Sequence, residues 1–288
     1  MNILCADALA DDLLAPLRES GHTVIVEADL SADTIPARLA AGDFEVLVVR
    51  STKVTAEAFA ATTALGLVVR AGAGTDNVDK DAASASGVYV SNVPGRNAVA
   101  VAELAMALLL AIDRHIAPGM ADLRAGTWNK GQYSKADGIL GKQLAIIGLG
   151  EIGFALADRA RAFGMTVTAL RKADRSDESL NRIRAAGVRL VDDMATLLGE
   201  ADVVSLHVPS AKGTVGMVDA DFLSAMKPGS ILINTARGDA IQGEALIEAM
   251  NTHGIRAGLD VWPDEPSGKQ GEWTSDLASH PNVVGTHH

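Results

Sequence analysis

The chain has 288 residues, of which 48% are hydrophobic, 21% charged and only 3% aromatic. That balance excludes a disordered chain and fits one or two well-packed aliphatic domains. With 25 Lys+Arg against 36 Asp+Glu the formal charge is -11. This excludes a broad nucleic-acid or anionic-membrane surface, so an anionic ligand would need locally placed arginines.

The first residues, Met1-Asn2-Ile3-Leu4-Cys5-Ala6-Asp7, lack a basic lead and meet an acid early, so they read as a first strand rather than a leader. Cys5 is the single cysteine. It cannot form an intramolecular disulfide, and it reads as a small buried hydrophobe in a reducing compartment. Short apolar or β-branched runs follow at 23–27, 45–50, 66–70 and 88–91, separated by Ala-rich amphipathic stretches such as 11–20 and 56–64. Such alternation predicts parallel sheet with crossover helices. A turn-rich stretch, Asn92-Val93-Pro94-Gly95-Arg96-Asn97, then leads into one long helix over about 98–115. The apolar run 98–112 contains Glu103 and is too short to span a bilayer. A soluble cytoplasmic protein is expected.

A second alternating series has candidate strands at 143–148, 165–170, 188–190, 202–207, 230–234, 255–259 and 282–285. The expected fold is therefore α/β with two doubly wound parallel sheets. Residues 1–96 would form a smaller, flavodoxin-like unit and 97–284 a Rossmann unit.

Gly148-Leu149-Gly150-Glu151-Ile152-Gly153 matches G-x-G-x-x-G, with an apolar strand before it and a helical stretch, 154–163, after it. In that context the pattern reads as a dinucleotide loop; the plainer reading is an ordinary Gly-rich βα turn. Gly148 permits the tight turn, Gly150 lets backbone approach a pyrophosphate, and Gly153 lets the helix pack on the strand. The helix N-terminus supplies amides and positive dipole. Where an NAD-binding strand ends in an acid, this one ends Leu170-Arg171-Lys172. A guanidinium there suits a 2′-phosphate and points to NADP; the plainer reading is a solvated basic pair. Both NAD and NADP stay open.

Asn234-Thr235-Ala236-Arg237-Gly238-Asp239, Asp260-Val261-Trp262-Pro263-Asp264-Glu265-Pro266 and Gly285-Thr286-His287-His288 each follow a strand. They can converge at the carboxyl edge of one parallel sheet. At this point the chain resembles the D-2-hydroxyacid dehydrogenases, and among them the phosphoglycerate dehydrogenases. The resemblance runs through Val49-Arg50-Ser51, residues 70–79, Asn92-x-Pro94 to Glu103, the glycine loop, Leu206-His207-x-Pro209 and the three stretches above.

The resemblance implies roles. Arg237 would bind the substrate carboxylate and polarise the C2 carbonyl, since a guanidinium stays charged and can bind in two places at once. Histidine would be the acid/base. Glu265 would orient it. Of the two terminal histidines, His288 fits the family register and His287 stands where the family has proline. His207 and Pro209, Thr235 and Ala236, and Asp260 would line the cofactor site together with Gly148, Gly150, Glu151, Ile152, Gly153, Arg171 and Lys172. Backbone around Ala73, Gly74 and Thr75 would cradle the carboxylate, Arg50 and Ser51 would meet a phosphate or other distal group, and Asn97 would be a further contact.

The implied activity is hydride transfer between a nicotinamide and a D-2-hydroxy acid, with no metal. The expected pair is 3-phosphoglycerate and 3-phosphohydroxypyruvate, the step that leads to serine. Glyoxylate or hydroxypyruvate reduction is the alternative, which Arg171 would suit. A dinucleotide-sensing corepressor of the same fold is the alternative of another class. In the family the region of the long apolar helix builds a homodimer, so the resemblance implies one here. Residues 285–288 read as the start of a return hinge, and the family's following helix lies outside this sequence.

Overall fold

A computed structural model describes residues 1–266 and 271–288. The chain divides into two compact units, Met1–Asn97 and Ala98–His288.

The first unit holds β1 (Asn2–Cys5), β2 (Thr23–Val26), β3 (Val46–Val49), β4 (Leu67–Arg70) and β5 (Tyr89–Asn92) in one parallel sheet of order β2-β1-β3-β4-β5. Parallel strands need crossovers, and the Ala-rich segments supply them as helices. Leu4, Leu47, Val49 and Val68 face a core with Ile35, Leu39 and Phe59 from these helices. Cys5 is fully buried on the opposite face with Ile3 and Leu14, and burial pushes its thiol pKa up. The helix expected over 56–64 stops at Ala60. Thr62 breaks it, because its hydroxyl accepts the Ala64 amide at 3.1 Å and offers the backbone a turn in place of the helix.

In the second unit, the strands are β6 (Gln143–Ile147), β7 (Thr166–Leu170), β8 (Arg189–Val191), β9 (Val203–Leu206), β10 (Ile231–Asn234), β11 (Arg256–Leu259) and β12 (Val283–Gly285). They form one parallel sheet of order β12-β11-β10-β9-β6-β7-β8. Strand order reverses between β6 and β9, and a crevice at the carboxyl ends of such a pair is where doubly wound sheets hold ligands. Strands β9 and β10 are buried at every position because helices cover both faces. Together the two units form the two doubly wound parallel sheets expected from the alternating pattern.

The long helix ends at Asp113, two residues short of expectation. His115 has φ 52°, a left-handed conformation that stops the helix, and a second helix, Ile116–Arg124, starts immediately. Gly258 explains how closely the long helix lies on β11: a Cβ there would press on Leu108 and Ile112. No described helix is long and apolar enough to cross a membrane.

Candidate active site

The glycine loop leaves β6 at the switch point. Gly148 has φ 106°, and a Cβ there would overlap the His207 carbonyl at the end of β9. A Cβ at Gly153 would overlap the Gly148 carbonyl and crowd Ile146. Both glycines are therefore required by the fold. Gly150 differs: its φ is -94°, and a Cβ would meet nothing within 4 Å. The space in front of it is open, which is the room a pyrophosphate needs.

The helix begins at Glu151 rather than at 154, so it rises directly from this loop with Gly150 as its N-cap. Among the described residues the amides of Gly150, Glu151 and Ile152 have no acceptor, as expected for the first turn of a helix. The acid at the mouth of the loop is neutralised: Arg182 binds the Glu151 carboxylate with both terminal nitrogens, at 2.5 and 2.8 Å. That pairing holds the Glu151 carboxyl below its usual range, and the guanidinium stacks 4.0 Å over the Phe154 ring.

Beyond β7, Arg171 donates to Asp192 at 2.6 Å and is about half exposed; Lys172 is exposed. A third cation stands beside them. Arg175 donates to the Leu170 carbonyl at 3.2 Å, and its Nε is buried without a partner among the described residues. Sequence reasoning gave Arg175 no role, although the Arg-Lys-x-x-Arg spacing could have flagged it.

His207 follows β9 and sits 2.9 Å from the Ser205 hydroxyl through Nε2. Its Nδ1 is buried with no partner among the described residues, and burial lowers the imidazole to about 4, so it is neutral at physiological pH. The Thr235 hydroxyl after β10 is likewise buried and, among the described residues, unpaired. A polar atom buried without a partner is costly, and a bound ligand is one way to satisfy it. These orphans, the open space at Gly150 and the free amides fit a dinucleotide. Pro209 accepts the Thr214 hydroxyl through its carbonyl, which braces the loop after His207.

Asn234 shapes the next loop. It is fully buried; its Nδ2 donates to the Arg237 carbonyl at 2.8 Å and its Oδ1 accepts the Ala236 amide at 3.0 Å. Arg237 is half-buried and donates to the Ala236 carbonyl at 2.7 Å. Gly238 allows this loop to lie directly on the Trp262 backbone.

Trp262 ties the last two loops together. Its indole Nε1 donates to the Thr286 carbonyl at 3.0 Å, its ring lies against Gly285, and Trp273 packs edge-on at 5.2 Å. The Thr286 hydroxyl donates to Asp260 at 2.6 Å, and the His288 amide donates to the Asp260 carbonyl at 2.9 Å. Asp260 is thus a brace for the 286–288 segment, a part that sequence reasoning did not assign to it or to Thr286. The outcome is a pair: His288 Nδ1 lies 2.6 Å from Glu265 Oε1. Neighbouring His287 is exposed and has no polar partner among the described residues.

The first unit carries the other expected contacts. Among the described residues the amides of Ala73, Gly74 and Thr75 have no acceptor, and Asn92 steadies the turn by donating to the Ala73 carbonyl at 2.5 Å. Arg50 is exposed, whereas the Ser51 hydroxyl is committed to Asp7 at 2.9 Å. Asn97 is exposed at the start of the long helix.

Comparison with known proteins identifies the family. Residues 3–186 match the catalytic domain of the D-isomer specific 2-hydroxyacid dehydrogenases, and residues 106–288 match their NAD binding domain. A D-3-phosphoglycerate dehydrogenase of Methanocaldococcus jannaschii is 37% identical over all of this chain and 53% of its own length. The chain spans about half the length of this and similar curated relatives. A hydroxypyruvate reductase of Thermotoga maritima is 42% identical over 85% of this chain and 78% of its own. Among solved structures, an acyclic imino acid reductase in complex with NADPH and D-Arg is 28% identical with a TM-score of 0.84, covering 100% of this chain and 89% of its own. The chain belongs to the D-isomer specific 2-hydroxyacid dehydrogenase family.

Proposed function

We propose that this chain carries a nicotinamide-dependent oxidoreductase activity on D-2-hydroxy acids and their 2-keto partners, with 3-phosphoglycerate and 3-phosphohydroxypyruvate as the substrate pair. The observation that carries the reading is the 2.6 Å pair of His288 and Glu265, set in the same unit as the dinucleotide loop and Arg237.

The bound nicotinamide supplies or accepts the hydride at C2. Arg237 binds the substrate carboxylate and draws electron density from the C2 oxygen, so that charge developing there is stabilised where it forms. His288 gives a proton to that oxygen in the reductive direction and removes it in the oxidative one. Glu265 accepts from Nδ1, which fixes the ring and leaves Nε2 as the working nitrogen. The free amides of Ala73, Gly74 and Thr75 serve as carboxylate donors, Arg50 as the contact for a distal phosphate and Asn97 as a neighbouring polar contact, while Ser51, held by Asp7, braces the Arg50 loop. Around the dinucleotide, Gly150, Glu151 and Ile152 present amides to its phosphates, and Gly148 and Gly153 keep the loop in the shape that allows it. His207, Pro209, Thr235, Ala236 and Asp260 line its nicotinamide end.

The proposed cofactor preference is NADP(H). Arg171 and Lys172 stand at the end of β7 with Arg175 beside them, and a cluster of cations favours a 2′-phosphate over bare ribose hydroxyls. Hydroxypyruvate or glyoxylate reduction is the second reading, favoured by the same cations and by the Thermotoga maritima relative. We place the protein in the cytoplasm as a homodimer. The helix Ile116–Arg124 and the turn after it expose Leu123 at 60% and Trp128 at 80% around an open pocket of ≈ 760 Å³, an apolar surface suited to a second copy.

The test is a panel of 2-keto acids assayed with NADH and NADPH in parallel. Turnover of 3-phosphohydroxypyruvate, faster with NADPH, is expected. Dinucleotide binding without turnover of any 2-keto acid would favour the sensing corepressor instead.

A further inference from the structure

In the first unit the sheet order reverses between β1 and β3, and the carboxyl ends of those strands are where this architecture usually holds a ligand. Here a side chain of the chain itself occupies that place. Asp7, two residues past β1, is only 2% exposed. Its Oδ2 accepts the amides of Arg50, Ser51 and Thr52 at 2.7, 3.1 and 3.2 Å, and its Oδ1 accepts the Ser51 hydroxyl at 2.9 Å. Three successive amides turned onto one oxygen form an anion nest, and Asp7 is its built-in anion. A phosphate arriving at this loop therefore finds the amides of residues 50–52 already used and the Ser51 proton committed. What remains for it is the exposed Arg50 guanidinium.

The same loop is tied a second time. Asn77 Nδ2 donates to the Thr52 carbonyl at 2.8 Å, the Val54 amide donates to the Asn77 carbonyl at 2.8 Å, and the Asp79 amide donates back to Val54 at 2.9 Å. Asn77 belongs to the segment that presents the free amides of residues 73–75. One frame, Asp7 to loop 50–54 to Asn77, thus links the Arg50 loop to the carboxylate cradle.

We infer that Asp7 and Asn77 are positioning residues that hold Arg50 at a fixed reach from the amides of residues 73–75, so that the first unit measures a substrate between its carboxylate and a distal anionic group. This rests on the proposed dehydrogenase reading. Neither residue touches substrate; both act through Arg50 and the cradle. Selectivity for a phosphorylated 2-keto acid over the same acid without phosphate should then depend on a buried aspartate that the substrate never meets.

The experiment compares 3-phosphohydroxypyruvate with hydroxypyruvate, which differ only in the phosphate, for the full chain and for Asp7→Asn. An Asn can satisfy part of the nest but turns an NH2 group against the rest, so the loop loses charge-assisted hydrogen bonds. The ratio of kcat/KM values for the two substrates should fall about tenfold or more, chiefly through KM of the phosphorylated one. Asn77→Ala removes the side-chain bond of the second tie, keeps its two backbone bonds, leaves the nest intact and should lower the same ratio; it serves if Asp7→Asn does not fold, and thermal melting of each variant reports which case holds. An unchanged or raised ratio in a folded variant overturns the inference. So does a wild-type chain that reduces both substrates equally well. A wild-type chain that reduces neither overturns the dehydrogenase reading itself.

Discussion

Replacing Gly150 by Ala separates a glycine needed by the ligand from glycines needed by the fold. The backbone there, φ -94° and ψ -162°, suits any L-residue, and the added methyl meets nothing within 4 Å. Two small terms act on stability. Losing glycine's freedom in the unfolded chain favours the variant by about 0.4–1 kcal/mol. Alanine is a poorer N-cap than glycine, which costs a similar amount. They nearly cancel, so the melting temperature should stay within about 3 °C of wild type. Binding should not be spared. A methyl at Gly150 keeps a pyrophosphate from closing on the amides of residues 150–152, and each charged hydrogen bond lost is worth about 1.5–3 kcal/mol. One such loss raises the dinucleotide Kd roughly 10- to 100-fold. Fluorescence titration with NADPH and NADH gives Kd, and differential scanning calorimetry gives the melting temperature. An unchanged Kd would refute the assignment of this space to the pyrophosphate. A drop of ten degrees or so in melting temperature would refute the claim that Gly150 is free of the fold. Gly148→Ala is the contrast, because φ 106° and the His207 carbonyl both oppose it, and it should melt well below wild type.

His288→Gln should lower kcat by about 10²- to 10⁴-fold while His287→Gln leaves it little changed, since only His288 is paired with Glu265; steady-state kinetics of the two variants checks this. His207 makes folding pH-dependent. Burial lowers its imidazole from 6.5 to about 4, so between those values the unfolded chain holds the extra proton and stability rises with pH across that window. The effect is of order 3 kcal/mol in all, and urea melts at pH 5 and 7 should differ less in His207→Asn than in wild type. For Asp7, burial raises the carboxyl, but the hydrogen bonds from Arg50, Thr52 and Ser51 outweigh it and leave the group below its ordinary range. Its contribution is therefore complete above a free carboxyl's value of about 4 and is lost as pH falls through the lower folded value. The gap in melting temperature between wild type and Asp7→Asn should close on acidification below pH ~4.

What was legible in the sequence was whatever a local pattern dictates. The alternation of apolar runs with Ala-rich stretches located the strands to within a residue or two, and their number anticipated two parallel sheets. The glycine spacing located the tight turn from β6 into its helix, because Gly148 and Gly153 answer separate steric demands within one six-residue string. What stayed hidden was set by partners distant in the chain. Nothing next to Asp7 announces that its carboxylate will meet amides more than forty residues away. The brace from Asp260 to Thr286 exists only once β11 and β12 lie side by side. The helix starting at Glu151 rather than 154 was hidden for another reason: helix-poor glycine at 153 is tolerated because the Gly148 carbonyl leaves no room for a Cβ.

The two switch points show one topology used in opposite ways. In the second unit the crevice between β6 and β9 is kept open. Gly150 projects nothing into it, the acid at its mouth is neutralised by Arg182, and buried polar atoms at His207 and Thr235 have no partners among the described residues. In the first unit the equivalent place between β1 and β3 is closed by Asp7, whose hydrogen bonds satisfy the amides that would otherwise receive an anion. The difference decides what each unit can do. An open crevice with free amides binds a ligand in the place that the sheet's topology prepares. A closed one cannot, so on the proposed reading the first unit presents its binding groups from the loops after β3 and β4, at Arg50 and residues 73–75. A carboxylate that seals the switch point also stiffens the loop carrying Arg50, which is what turns a solvent-exposed arginine into a group of defined reach.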